Sequence, residues 1–168
     1  MLLGEEVRKA RISFDPGSSY AAYYKLQWSD RGFTAGLLGI PIDSEGMTDA
    51  LEIAREKGME VHFAIETKEN KEPNYACLEL TGKDGSQLVL GSTSIGGGAI
   101  ELIEIDTYPI YIKGDFNTVF LYLNKDTDLE EIKRQAEKII IEEFRMKESS
   151  TGDGSIVYLE TRENLTEV

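Results

Sequence analysis

The sequence has very few of the residues that carry nucleophilic catalysis and metal binding. Its 168 residues include one cysteine, Cys77, and one histidine, His62. A single cysteine excludes an internal disulfide and a four-cysteine metal site. A Ser-His-Asp triad would have to be built on His62, but the run EVHFAIE favours a histidine on a strand face. We therefore predict no catalytic residue and no metal site in this chain, and an independent hydrolase is the least favoured function.

Long apolar runs and an excess of basic residues are also missing. No apolar run approaches the roughly 20 residues that span a bilayer, and the start, MLLGEEVRKA, lacks the apolar stretch of a signal peptide. Lysine and arginine number 18 against 31 aspartates and glutamates, which gives a net charge of −13. So acidic a surface repels nucleic-acid phosphates and anionic lipids. The sequence predicts a cytoplasmic protein that binds neither nucleic acid nor membranes.

Apolar periodicity predicts many strands in the first two thirds of the chain. The predicted strands lie in KARISFD, MEVHFAI, YACLELT, AIELIEID and PIYIK, and GKDGSQLVLG predicts a hairpin that turns at DG. The run SEGMTDALEIAREKG predicts a helix that ends at Gly58. Its buried face is predicted to consist of Met47, Ala50, Leu51 and Ala54.

The remainder of the chain predicts a second unit with the order strand, helix, strand, strand. NTVFLYL is rich in aromatic and β-branched residues, and EEFRMKE and SIVYLET predict a hairpin around SSTGDG. TDLEEIKRQAEKIIIEE begins with Thr127 and Glu130 at the spacing of a capping box. Its predicted core stripe is Leu129, Ile132, Ala136, Ile139 and Ile140. Exposed strands in NTVFLYL and SIVYLET predict association with a further chain, and we expect a homo-oligomer.

The fold class that follows is α+β. A mixed β-sheet with flanking helices is predicted over residues 1–113, and a smaller unit over residues 114–168.

Three consecutive glycines in GSTSIGGGAIELIEID need a specific explanation. A P-loop requires lysine where this chain has Gly97, and a dinucleotide fingerprint leads into a helix, whereas GGGAI leads into a strand. Two interpretations remain. One is a nest of backbone N–H groups that holds a small anion; the other is a glycine bulge at which two backbones pack closely.

Several motifs follow one another in the order found in a known family. GSTSIGGGAIELIEID resembles that family's S-I-G-G-G segment, GSSYAAYYKLQWSDRGFTAGLLGIP resembles its G-S-F-A-x-T-Y-K-G-H-G-T-D stretch followed by G-L-L-G, and EPNYACLEL resembles its H-P-N-T segment. The family is the beta chain of iron–sulfur-dependent L-serine dehydratase, and the resemblance covers roughly residues 2–113. It implies an allosteric-substrate-binding-like domain, followed at DFNTVFLYLNKDTDLEEI by a partial ACT-like unit.

The resemblance also implies where a ligand, a small anion or an amino acid, is bound. The implied positions are Ser18, Ser19, Lys25, Asp30, Asn74, Thr93, Ser94, Gly96, Gly97 and Gly98. Each has a structural alternative. Ser18 and Ser19 follow DPG, and Asn74 follows a proline, so all three residues are typical of turns. The structural alternative for Lys25 and Asp30 is an ion pair exposed to solvent.

Departures from the family weaken these expectations. Gln27 and Glu72 stand where the family has histidine, and Trp28 stands where it has a small residue. The loop NKDTDLEE lacks the Pro-Gly of an ACT ligand loop, no S-S-S-H-T-A-G-A segment precedes Leu2, and only RENLTEV follows the last strand. We therefore expect weak serine binding and an incomplete ACT-like unit.

The resemblance implies a reaction that this chain does not perform alone. Removal of water from serine needs help for a poor leaving group, from a Lewis-acidic metal centre or a pyridoxal Schiff base. The family uses a [4Fe–4S] cluster held by cysteines of an alpha chain, and one cysteine does not hold such a cluster. Two functions follow. The first is a beta-type subunit with no cofactor of its own, assembled with a cysteine-rich alpha subunit. The second is a non-catalytic module that senses a small molecule or binds a partner.

Overall fold

A computed structural model of the chain describes residues 3–67, 72–124, 126–136, 143–149 and 154–162. The strands are β1 (Val7–Phe14), β2 (Glu60–Ile65), β3 (Tyr75–Gly82), β4 (Gln87–Gly96), β5 (Ala99–Ile105), β6 (Tyr108–Ile112), β7 (Asn117–Leu123), β8 (Glu143–Glu148) and β9 (Ser155–Thr161). The helices are α1 (Ser19–Tyr23), α2 (Ser29–Leu38), α3 (Ala50–Glu56) and α4 (Leu129–Ala136), with a 3-10 turn at Glu45–Met47.

The first six strands form one mixed sheet, as the sequence predicts. Their order is β2-β1-β3-β4-β5-β6. The pair β1–β2 is parallel, and every other neighbouring pair is antiparallel. The predicted α+β class with a mixed sheet is therefore confirmed, whereas the ACT-like character of the second unit stays a prediction.

Phe14, at the end of β1, fixes the helices to this sheet. It is fully buried, and its ring lies 5.0 Å from that of Tyr20, 5.3 Å from that of Tyr24 and 5.9 Å from that of Phe33. Close aromatic pairs add stabilisation beyond the area that they bury. Helices α1 and α2 therefore pack around Phe14 at one end of the sheet, and Tyr24 also stacks on Phe63 of β2 at 5.4 Å.

Helix α3 begins later than its sequence pattern suggests, and the predicted burial of Leu51 is therefore wrong, while Met47, in the turn before the helix, is only half-buried. Ala50 and Ala54 are buried, but Leu51 is 37% exposed. A 3-10 turn precedes the helix, so the α-helical face starts at Ala50, and Leu51 lies about 100° around the axis from it. Gly58 has φ +72° and ends the helix as predicted.

The second sheet has the order β7-β9-β8 and is covered by α4. Val157 and Leu159 of β9 pack with Leu123 and with Ala136 of α4. The predicted stripe residues Leu129 and Ile132 join this cluster, while Ile139 and Ile140 lie outside the described residues.

The helix cap and the sheet edges differ from the prediction. Asp128, not Thr127, caps α4, because its Oδ1 accepts from the N–H groups of Glu130 at 3.0 Å and Glu131 at 3.2 Å. SIVYLET is the central strand of the second sheet, so the prediction that it is exposed is wrong. The edges are β7 and β8, and oligomerisation through them stays a prediction.

The two sheets share one apolar core. Ile156 and Tyr158, on the face of β9 opposite α4, belong to the same buried cluster as Phe14. At the junction, the hydroxyls of Thr107 and Ser149 are 2.7 Å apart. Burial, with the Asp106 carboxylate close by, raises the pKa of Tyr122 to about 12. The division into domains 1–113 and 114–168 stays a prediction.

Gly91 makes room for a tyrosine that crosses the other face of the first sheet. A Cβ at this position would lie 2.6 Å from Tyr75 Oη and 2.9 Å from Glu104 Cβ. The Tyr75 hydroxyl donates to the Glu104 carboxylate at 2.9 Å, and burial raises the pKa of Tyr75 far above its usual range. Because glycine leaves this space, the tyrosine ring packs flat against β4.

We expect Gly91→Ala to lower the free energy of unfolding by about 1–3 kcal/mol, because a buried ring and a strand side chain must both move. Gly36→Ala is the control. Gly36 is an exposed residue of α2 with no atom within 4 Å of its Cβ position, so alanine there should raise stability by about 0.5–1 kcal/mol. Urea unfolding followed by circular dichroism measures both. A Gly91→Ala protein as stable as the wild type contradicts this packing.

Candidate functional site

Five of the predicted site residues meet at one end of the first sheet. Strand β3 is antiparallel to β1 and to β4, so the start of β3 lies beside the ends of both. Ser18 and Ser19 follow β1, Asn74 precedes β3, and Thr93 and Ser94 lie near the end of β4. Residues distant in sequence are thus brought to a common edge, which we call the sheet end.

Asn74 connects three segments at the sheet end. Its side-chain Oδ1 accepts from the Ser19 hydroxyl at 2.6 Å and from the Ser19 N–H at 3.2 Å. Its backbone oxygen accepts from the Ser94 N–H at 3.4 Å. Its φ of +53° lies in the left-handed region, where asparagine is among the few side chains tolerated. Asn74 therefore joins the start of α1 to the end of β4.

Thr93 and Ser18 are also engaged in hydrogen bonds within the chain. The Thr93 hydroxyl donates to the Pro73 carbonyl. The Ser18 hydroxyl accepts from the Ala21 N–H at 3.3 Å and caps α1. These bonds stabilise the loops around the sheet end. Ligand contact by these hydroxyls stays a prediction, and a ligand would have to share or replace the bonds.

Lys25 and Asp30 do not form the solvated pair offered as their structural alternative. Both residues are described, and no ion pair joins them. Asp30 is 6% exposed and accepts from the Arg31 N–H at 2.9 Å, with the Arg31 guanidinium 3.7 Å away. Lys25 places its ammonium 5.7 Å from the centre of the Tyr24 ring. Asp30 is thus a buried residue of the first turn of α2, and Lys25, in the α1–α2 connection, is exposed.

Trp28 occupies a backbone position that suits glycine. It precedes α2 with φ +57°, a conformation that costs a non-glycine residue about 1–2 kcal/mol. The Arg31 guanidinium lies 4.9 Å from the Trp28 ring centre and partly offsets this strain. A backbone position in this left-handed region favours glycine over a residue with a side chain.

The three glycines form a hairpin turn. Gly96 pairs with Ala99, which leaves a two-residue loop of Gly97 at φ +63° and Gly98 at φ +82°. Positive φ at both loop residues is what a type I′ turn requires. The register of β4 and β5 shifts between Ser94 and Gly96, so an irregularity of the predicted kind is present. No atom lies within 4 Å of the Cβ position at any of the three glycines, so the predicted close packing of two backbones is wrong. Anion binding by these glycines stays a prediction.

The sequence interpretation missed the close packing of Tyr75 and Ile103 behind the sheet end, although YACLELT predicts Cys77 as a small buried residue of a strand. Tyr75 is 3% exposed and Cys77 is 5% exposed; together with Ile103 they form a small cluster on the face away from the helices. The only sequence sign was an isolated glycine, Gly91, inside a strand pattern, which indicates a close approach of another group.

Neither a metal centre nor a membrane segment is found in the part of the chain that the structure describes. Within the described ranges, no group of three or more histidine, cysteine or acidic side chains lies close enough together to bind a metal ion. The helices described there are too short or too polar to cross a membrane. Two cavities, of about 490 and 360 Å³, lie away from the sheet end, against α3 and beside α4.

Comparison with known proteins identifies relatives of this chain. No family model matches the chain. Over 123 residues, 73% of the chain, it is 30% identical to the probable L-serine dehydratase beta chain of Bacillus subtilis. Over 112 residues, 66% of the chain, it is 26% identical to the L-serine dehydratase beta chain of Peptoniphilus asaccharolyticus. The chain is related to L-serine dehydratase beta chains.

This relationship confirms the resemblance that the sequence motifs predict. The matched segments amount to 54% and 50% of the two beta chains, so the chain spans about half the length of the curated relatives that it matches. The matched part is long enough to contain a sheet of the size of the first one. It does not by itself assign the activity of the complete relatives to this chain.

We expect Gly97→Ala to lower the free energy of unfolding by about 1 kcal/mol, through left-handed strain and not through a clash. Gly97→Asn is the matched control. Asparagine tolerates the left-handed region, and Asn-Gly is a preferred type I′ turn, so the loss should be much smaller.

Calorimetric titration of the same two variants with phosphate and serine tests the nest. Loss of anion binding in both variants, with binding by the wild type, would support a nest at Gly97. If the variants differ from the wild type only in stability, the glycines form a turn and do not bind an anion. Equal destabilisation by alanine and asparagine contradicts the assigned turn.

Proposed function

We propose that the chain is a beta-type subunit of an L-serine dehydratase, which converts L-serine to pyruvate and ammonia. It acts with a separate alpha subunit whose cysteines hold a [4Fe–4S] cluster. The observation that carries this proposal is the similarity, over about 70% of the chain, to two proteins named as beta chains of that enzyme.

The chemistry of the reaction supports a cluster held by the partner subunit. Loss of hydroxide from serine requires a Lewis acid or an equivalent electron sink, which a cluster supplies when bound. The cysteine of this chain, Cys77, lies within β3 and is 5% exposed. A single buried thiol does not provide the ligand set of a cluster.

The sheet end is suited to support a site rather than to carry out bond breaking. Its polar residues Ser18, Ser19, Asn74 and Thr93 hydrogen-bond to one another and to neighbouring backbone. None of these four side chains ionises near neutral pH, so none is a general acid or base there. The subunit therefore acts by closing or tuning a site that the alpha subunit provides.

A second function, a non-catalytic sensing or interaction module, is favoured by one observation. Gln27 and Glu72, which replace histidines of the resembled family, are both exposed in segments next to the sheet end. Glutamine and glutamate do not reproduce the neutral and cationic forms of imidazole near neutral pH. A chain that keeps the fold without serine chemistry would show such replacements.

We expect the purified chain to release no ammonia from L-serine and to show no iron–sulfur absorbance after reconstitution with iron and sulfide. Co-purified with the cysteine-bearing alpha chain of its own organism, it should give a brown complex that deaminates serine. The alpha chain without this subunit is the control, and its activity should be at least about ten-fold lower.

Two results would overturn the proposed function. Serine deamination by this chain alone would make it an independent enzyme. An alpha chain that is fully active without it, and does not bind it, would favour the sensing or interaction module.

A further inference from the structure

Strand β2 leaves one edge of the six-stranded sheet open. It lies at the end of the strand order and is paired with β1 on its inner side. The Glu66 N–H donates to the Phe14 carbonyl, so the alternate residues Val61, Phe63 and Ile65 direct their backbone groups away from β1. Among the residues that the structure describes, none forms a hydrogen bond with these outward groups. The edge can therefore accept a further strand.

This edge lacks the features that usually prevent such pairing. β2 has the sequence EVHFAI, without proline or lysine, and its register with β1 is continuous from Lys9–Glu60 to Phe14–Ile65, without a bulge. Natural sheet edges are often protected by proline, by lysine or by a bulge. The opposite edge of the same sheet, β6, does contain a proline, Pro109. The composition of β2 thus favours the addition of a strand.

A groove of about 490 Å³ lies beside this edge, between α3 and the start of β2. One wall consists of Leu51, Ala54 and Gly58, which the helical period places on one side of α3 and its C-terminal end. Gly58 has no atom within 4 Å of its Cβ position, so the groove stays open there. Met59 and Val61 supply further apolar surface. An apolar groove next to free backbone groups is the arrangement by which several domains bind an extended peptide.

The charges at the groove favour a basic partner. Glu60 borders the groove, is exposed and forms no ion pair with any described residue, although Lys9 is its neighbour across β1. Arg55 also borders the groove, but its guanidinium is paired with Glu52. A second copy of the chain would bring a further net charge of −13 to this acidic edge. A segment with a lysine or arginine would instead pair with Glu60.

Strand geometry defines which partner residues meet the groove and Glu60. In antiparallel pairing, the more stable kind, a residue opposite Val61 has its side chain on the same face as Val61. Val61 packs on the helix side of the sheet, so that partner side chain lies over the groove. The next partner residue is opposite Glu60, on the other face of the sheet. An apolar residue followed directly by a basic residue is therefore the sequence that fits.

We propose that the edge of β2 is a docking site for an extended segment of another protein, which pairs with β2 as an additional antiparallel strand. The segment places an apolar side chain in the groove beside α3 and a basic side chain opposite Glu60. This site is additional to the proposed function and does not depend on it. The groove lies at the start of β2, whereas the sheet end lies where β1 and β4 end.

The probe is a synthetic peptide, blocked at both ends and labelled with a fluorophore, in which valine and threonine alternate before a final leucine and lysine. It should bind the wild-type protein saturably, as measured by fluorescence anisotropy. Serine in place of the peptide's leucine should weaken binding by about ten-fold, because the groove then receives no large apolar side chain.

Two pairs of protein variants test the strand and the charge. Ile65→Pro removes an outward N–H but no bond to β1, so it should weaken binding by about five-fold relative to Ile65→Ala, which keeps that N–H. Glu60→Lys should invert the preference between the lysine peptide and a peptide with glutamate in its place. Asp115→Lys is the control for net charge, since Asp115 is exposed beyond β6, at the opposite edge, and should leave the preference unchanged.

All four variants should keep the circular dichroism spectrum of the wild type, and if proline prevents folding, the charge exchange at Glu60 decides. Failure of the wild type to bind the lysine peptide overturns the proposal. Equal binding by Ile65→Pro and Ile65→Ala, both folded, also overturns it, as does a preference that Glu60→Lys does not invert. A wild-type dimer that Ile65→Pro converts to a monomer would make a second copy the occupant of the edge and would overturn it too.

Discussion

The architecture of the sheet end depends on one residue, Asn74, that holds three segments with its side chain and its backbone. The side-chain oxygen accepts twice from Ser19, and the backbone oxygen accepts from Ser94. Its left-handed conformation turns the chain from Pro73 into β3, where Tyr75 at once enters the space left by Gly91. Without this bridge, the α1 segment and the β4–β5 hairpin would have no described hydrogen bond between them, and each would have to be positioned by apolar packing alone.

The hydrogen bonds of Asn74 also change the interpretation of the residues that were predicted to bind a ligand. Hydroxyl and amide groups already engaged within the chain are replaced by a ligand only if the ligand makes at least equally good bonds. Polar residues that are already bonded to one another describe a structural junction of loops better than a self-contained amino-acid site.

The sequence predicted the strands well because the alternation of Ala10, Ile12 and Phe14, and of Ala76, Leu78 and Leu80, reports burial on one face directly. It predicted that Ser19, Asn74 and Ser94 are functionally linked only through motif order, since nothing local shows that they meet. Helix α1 was missed because five residues are too few for a helical period, and Trp28 gave no sign of its left-handed backbone. Leu51 and SIVYLET were misplaced because the start of a helix and the order of strands in a sheet are decided by tertiary contacts.

The central claim, that the Asn74–Ser19 bond joins these segments, is tested most directly by a double-mutant cycle. Ser19→Ala and Asn74→Gly each remove one side-chain partner, and glycine keeps the left-handed backbone accessible. Free energies of unfolding of the wild type, both single variants and the double variant give the coupling between the two residues. The account predicts a favourable coupling of about 1 kcal/mol. Single effects that add to within about 0.3 kcal/mol would contradict it.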